Sequence, residues 1–191
     1  MSGSEQFAAF FDGRVSFRSR MPLKWVRFET ALDDGQLAAL NEQNLALLRA
    51  VAALEERHTD TSDTQQVAFS PELQRLEAKV DLLLTLVGQI RSADGLIPPS
   101  HSIELAAEGA AWWPKDGEQD PKDAEGMLEL SLAAYATQPL ILPARIQAHG
   151  EWEGRPAVLG QFFGLNETCL DALGKFVFRH HRRAIAGARQ G

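Results

Sequence analysis

Phe7, Phe10 and Phe11 recur at helical spacing until Asp12-Gly13 breaks the pattern with turn chemistry, so the chain opens with a predicted short helix and a turn. From Arg14 to Phe28 the text becomes RVSFRSRMPLKWVRF, where Leu23, Trp25, Val26 and Phe28 predict a strand after Pro22. The period then turns helical again. Asp33 or Asp34 can cap a helix, and Leu37, Leu40, Asn44, Leu47, Val51, Leu54 and His58 fall alternately three and four apart, a heptad pattern. After the polar linker TDTSDTQQ a second heptad segment opens with Ser70 as cap and Pro71 at the first helical position. Its seam holds Leu73, Leu76, Val80, Leu83, Val87 and Ile90, and Gly95 with Pro98-Pro99 closes it.

From His101 the helical period gives way to short runs of β character. HSIELAAEGAAWW reads as a strand, a turn with its glycine at Gly109, and a second strand. GMLELSLAAYA alternates Met127 or Leu128 with polar or small residues, while LILPARIQAHG and RPAVLGQFFGL are rich in branched side chains. A final helix starts at the capping residue Asn166 and carries Leu170, Leu173, Phe176 or Val177, and His180 on one face. The order predicts an α+β chain with a small barrel or sandwich at 1–33 and 101–191, interrupted by a helical region at 34–95.

Two helices of roughly 30 Å each are long for the satellites of a small β domain. Their apolar stripe is also wide, since Leu48 flanks the first seam and Leu82, Leu84 and Leu86 flank the second. A two-stranded zipper would leave those leucines in water. One solution is an antiparallel hairpin within the chain; the other, which the width favours, is a bundle of helices from several chains. Asn44 stands at a seam position, where a buried amide fixes register and strand number.

Composition narrows the function. A net charge of -7 excludes a nucleic-acid polymer as the general partner, because backbone recognition needs clustered cations. No apolar run is long enough to span a bilayer, and MSGSEQFAAFFDGR lacks the basic start and apolar core of a secretory signal, so a cytoplasmic location is expected. Cys169 stands alone and forms no intrachain disulfide. The sequence holds no glycine-rich phosphate loop, no G-x-S-x-G elbow and no H-E-x-x-H pair. His58, His101, His149, His180 and His181 do not fall at metal-ligand spacing with Cys169. KDGEQDPKDAEG at 115–126 has the content of a solvated hairpin loop, and the cations of the terminal RHHRR complement a helix dipole. No enzyme, cofactor or metal site is expected.

IELAAEGAAW, GMLELSLA, PARIQA, AVLGQFFGL and LGKFVFRHHRRAI resemble, in that order, the PilZ domain of bacteria across residues 101–186, and FRSRMPLKW resembles its first strand. Two heptad helices inserted after that strand look like the atypical, tetrameric branch of the family, whose extra helices assemble a parallel bundle. The resemblance implies a small six-stranded antiparallel β-barrel with a C-terminal helix and an inserted helical oligomerisation region. It also implies a receptor or adaptor in cyclic di-GMP signalling, pilus-based motility or virulence, acting on an unidentified protein partner.

The family's ligand elements are R-x-x-x-R before the barrel and D/N-x-S-x-x-G on it. Guanidinium groups fork onto guanine edges and phosphates, and the glycine admits close backbone approach. Arg14 and Arg18 match the first element, whereas Glu104, Ala106 and Gly109 stand at the second. The serine hydroxyl is thus missing and the carboxylate rides on a longer stem. At about 1.5–3 kcal/mol for a charge-assisted hydrogen bond, the two changes cost roughly two decades of affinity, so weak or no cyclic di-GMP binding is expected. The alternative is a functional receptor in which Arg14 and Arg18 compensate.

Overall fold

The computed structural model describes residues 3–28, 30–60, 97–115, 125–132 and 138–188, together with residues 75, 76, 79, 80, 82, 83 and 86. Helix α1 (Gly3–Phe11) leads through a turn at Gly13 into β1 (Ser16–Arg27), and α2 (Asp34–Asp60) follows. Strands β2 (Ser100–Ala106), β3 (Gly109–Trp113), β4 (Glu125–Leu130), β5 (Leu140–Trp152) and β6 (Arg155–Phe162) precede helix α3 (Glu167–Ala188). The strands form a closed antiparallel barrel in the order β1-β2-β3-β6-β5-β4.

Closure depends on β1, which pairs with β2 through Ser16 to Pro22 and with β4 through Leu23 to Arg27. The strand therefore begins before Pro22, not after it as its composition suggested. Pro22 stands where β1 changes partner, a place where a missing N–H is tolerated, and its carbonyl accepts from Ser131 N at 3.0 Å. In β4 the inward side chains are Leu128 and Leu130, so Leu128 rather than Met127 faces the core.

The barrel interior is filled by residues such as Phe17, Ile103, Leu105, Trp112, Leu128 and Val158, and is continued by Leu48 and Val51 of α2 and Leu173, Phe176 and Val177 of α3. Burying each of these side chains contributes about 1.5–3 kcal/mol. A second cluster lies on the outer wall, where Phe7 of α1 covers Ala111, Trp113, Ala148, Ala157 and Leu159. This cover explains why every residue of β3 is buried: one set of side chains faces the barrel interior, the other faces α1.

Local chemistry sets the helix ends. Asp33 Oδ1 accepts from Gln36 N at 2.8 Å while Gln36 Oε1 accepts from Asp33 N at 3.0 Å, a reciprocal capping box for α2. Asn166 Oδ1 accepts from Cys169 N at 2.8 Å and starts α3. On α3 the packed face takes Cys169, with its thiol pushed up in pKa by burial, whereas the expected Leu170 is exposed.

The heptad reading divides in two. Asn44 is fully buried against its own barrel: its Nδ2 donates to Ile141 O at 2.6 Å and its Oδ1 accepts from Ile141 N at 3.0 Å. Ile141 lies beyond the β6 register, which ends at Ala144, so Asn44 supplies what a neighbouring strand would. Asn41 adds a second clamp, donating to Gly164 O and accepting from Asn166 N. Val51 also belongs to the barrel core, Leu47 packs against it, and Leu37, Leu40 and Leu54 are half-buried. In the second segment Leu76, Val80 and Leu83 are helical and 57%, 45% and 61% exposed, with Leu82 and Leu86 exposed beside them. Leu73, Val87 and Ile90, and residues 116–124 of the expected hairpin loop, lie outside the described residues.

Candidate ligand-binding face

Antiparallel pairing sets Arg18 of β1 directly opposite Glu104 of β2, with both side chains on the outer wall. Glu104 is buried despite its charge, and its two oxygens are used separately: Oε1 accepts from Ser16 Oγ at 2.8 Å and Oε2 from Arg18 Nε at 2.8 Å. A second carboxylate reaches the same guanidinium, with Arg18 NH1 donating to Glu153 Oε2 at 2.6 Å. Partial burial acts to lower the Arg18 pKa, but Glu153 and Glu104 outweigh it and hold the pKa above its ordinary value. Arg18 is thus a paired cation, not a waiting one.

Arg14 is also engaged. It follows the left-handed turn at Gly13, lays its guanidinium 4.6 Å from the Phe10 ring centre, donates to the Phe10 carbonyl, and lies 3.8 Å from Glu108. Arg155 of β6 completes the surface, its guanidinium 5.0 Å from the Trp113 ring, with Arg18 6.0 Å from the same ring. Three guanidiniums (Arg14, Arg18, Arg155) therefore stand among three carboxylates (Glu104, Glu108, Glu153), leaving no excess of positive charge for a dianion.

Ala106 is fully buried opposite Ser16, so this position presents no polar group to solvent. Gly109 opens β3 instead of making the bend, which falls at Ala107 and Glu108. A β-carbon at Gly109 would collide with the Gly160 carbonyl and Phe10 Cζ, so close approach, not a left-handed backbone, requires glycine here. The expected residues Arg14, Arg18, Glu104 and Gly109 thus share one wall, with Ala106 buried beneath it. Glu108, Glu153, Arg155 and Trp113 were not singled out in the sequence. Only Gly154, a turn signal in EWEGR, marked the hairpin that delivers Glu153.

A second charge cluster joins the helices. Glu55 of α2 faces Arg179 at 3.3 Å and Arg183 at 3.1 Å, and lies 3.0 Å from His180 Nε2. The His180 ring packs 4.8 Å from Phe17 and 4.4 Å from Phe176. Burial pushes its pKa below the ordinary value; Glu55 opposes this, and Arg183 and Arg179 add to it. Among the described residues no group of three or more His, Cys, Asp or Glu is placed to hold a metal, and no helix is long and apolar enough to cross a membrane.

The family of atypical PilZ domains, described as cyclic di-GMP receptors, matches residues 48–190. Among solved structures, a pathogenic protein from Xanthomonas campestris, described as a tetrameric PilZ domain self-assembled via an unusual helical bundle, superposes with a TM-score of 0.71. It is 22% identical, and the match covers 96% of this chain and 99% of that one. No curated protein matches the chain.

Proposed function

Because the chain belongs to the atypical PilZ family, we propose that it is a non-enzymatic, oligomeric signalling adaptor that binds cyclic di-GMP weakly or not at all. The observation that carries this reading is the double engagement of Arg18 by Glu104 and Glu153. A phosphate or guanine edge must compete with carboxylates that already take Nε and NH1 of Arg18, and the charge-balanced surface offers no attraction in return. Buried Ala106 supplies no hydroxyl to offset the loss.

Oligomerisation is supported by the uncovered stripe of Leu76, Val80 and Leu83, whose exposure suits helices that find cover in other copies, and by the tetrameric Xanthomonas neighbour. In this reading the adaptor is a tetramer that acts through a protein partner in motility or virulence control. Light scattering is expected to report a tetramer; a monomer overturns the assembly. Calorimetry with cyclic di-GMP is expected to show binding weaker than micromolar. A tighter constant that is lost in Arg14→Ala overturns the weak-binding reading in favour of a receptor using Arg14 and Arg18. The family's description as receptors favours that second reading. An Ala106→Ser variant that leaves such a tight constant unchanged supports it further.

A further inference from the structure

The β5–β6 connection is a two-residue turn. Trp152 pairs with Arg155, which leaves Glu153 and Gly154 as a two-residue loop, with φ values of 53° and 74°. Two successive positive φ angles define a type I′ hairpin, whose first central position is preferred by Asn, Asp or Gly. Glu153 is the one non-glycine residue with positive φ among the described residues. A long acidic side chain is thus held in a conformation that does not suit it, and from there it reaches Arg18, 135 positions away in sequence.

We propose that Glu153 sets the affinity of this face for a cyclic dinucleotide by occupying the Arg18 guanidinium, an inference that rests on the reading of Arg18 as the ligand-facing cation. The two carboxylates on Arg18 are not equivalent. Glu104 is buried and bound to Ser16 as well, so it belongs to the wall. Glu153 has a side chain 46% exposed and makes its contact with an exposed guanidinium nitrogen. Its carboxylate presents to NH1 the same charged oxygen that a phosphate would, and the two compete for one donor. With Glu153 gone the surface keeps Arg14, Arg18 and Arg155 against Glu104 and Glu108, and its balance turns positive. Glu153 also lies on a hairpin tip, where displacement by a ligand or partner costs no core packing.

The test uses the full chain and cyclic di-GMP in calorimetry, with wild type, Glu153→Gln, Glu153→Asn and the double variant Glu153→Gln/Arg18→Ala. Both single variants are expected to bind at least about tenfold more tightly than wild type, the measure of one charge-assisted hydrogen bond. Arg18→Ala is expected to abolish the gain. Glu153→Asn, too short to reach Arg18 and well suited to the turn, is expected also to raise the melting temperature. Single variants that bind no more tightly than wild type, including variants with no measurable binding, overturn the proposal. So does a gain that survives Arg18→Ala. Micromolar binding by wild type overturns weak binding alone, because the ratio between Glu153→Gln and wild type still decides the role of Glu153.

Discussion

Glu104 and Glu55 are both largely buried carboxylates that gather arginines, and they stand in different kinds of joint. Glu104 bridges β1 and β2, which a backbone ladder already holds from Ser16 to Pro22. Glu55 bridges α2 and α3, where no ladder exists and only side chains make the contact. In a sheet, backbone hydrogen bonds set the geometry and a charge on the wall adds to a joint already made. Between helices, the charge and its neighbours are the joint itself.

Substitution of each carboxylate probes that difference. Glu55→Ala leaves Arg179, Arg183 and His180 facing one another without their counter-ion, and is expected to cost about 2 kcal/mol in urea unfolding. A loss equal to that of Glu104→Ala would break the contrast. Acidification is expected to act on the helical joint. The folded-state pKa of His180 is depressed, so below its ordinary value of 6.5 the unfolded chain binds the proton more readily and stability falls with pH. Stability is expected to fall between pH 7.5 and 5.5, and His180→Phe, which keeps a ring between Phe17 and Phe176, is expected to remove this part of the slope. An unchanged slope in that variant would assign the pH dependence to another group.

Glu104→Ala is expected to cost less, about 0.5–1 kcal/mol, because the half-exposed Arg18 turns to Glu153 and water while the strand ladder persists. The smallest effect is expected at the exposed Asp171–Lys175 pair on α3, where Asp171→Ala should change stability by about 0.3 kcal/mol and the change should fade in salt. Measured side by side, these four experiments rank the helical joint, its imidazole, the barrel wall and a solvated pair.

Much of the barrel was legible because strand alternation is local: GMLELSLA announces a strand, though not which of Met127 and Leu128 faces inward, and Asn166 announces a helix start through its own side chain. The start of β1 was not, because a proline is permitted where a strand changes partners, and that is a property of the closed sheet. The phase of α2 was also ambiguous. Leu37, Leu40, Asn44, Leu47, Val51 and Leu54 make one stripe, and Asn41, Asn44, Leu48, Val51 and Glu55 make another shifted by one position at all but Asn44 and Val51. An apolar period states that a face will be covered but not by what.

The sequence alone therefore determined the cap at Asn166, the order of the described strands and helices and the presence of Arg14, Arg18, Glu104, Ala106 and Gly109, all of which follow from neighbouring residues. The tertiary structure decided that Arg18 meets Glu153 across 135 positions, that Glu55 gathers Arg179 and Arg183, and that Asn44 completes β5. Those pairings need barrel closure and helix docking to bring distant side chains within hydrogen-bond reach, and no local period encodes that distance.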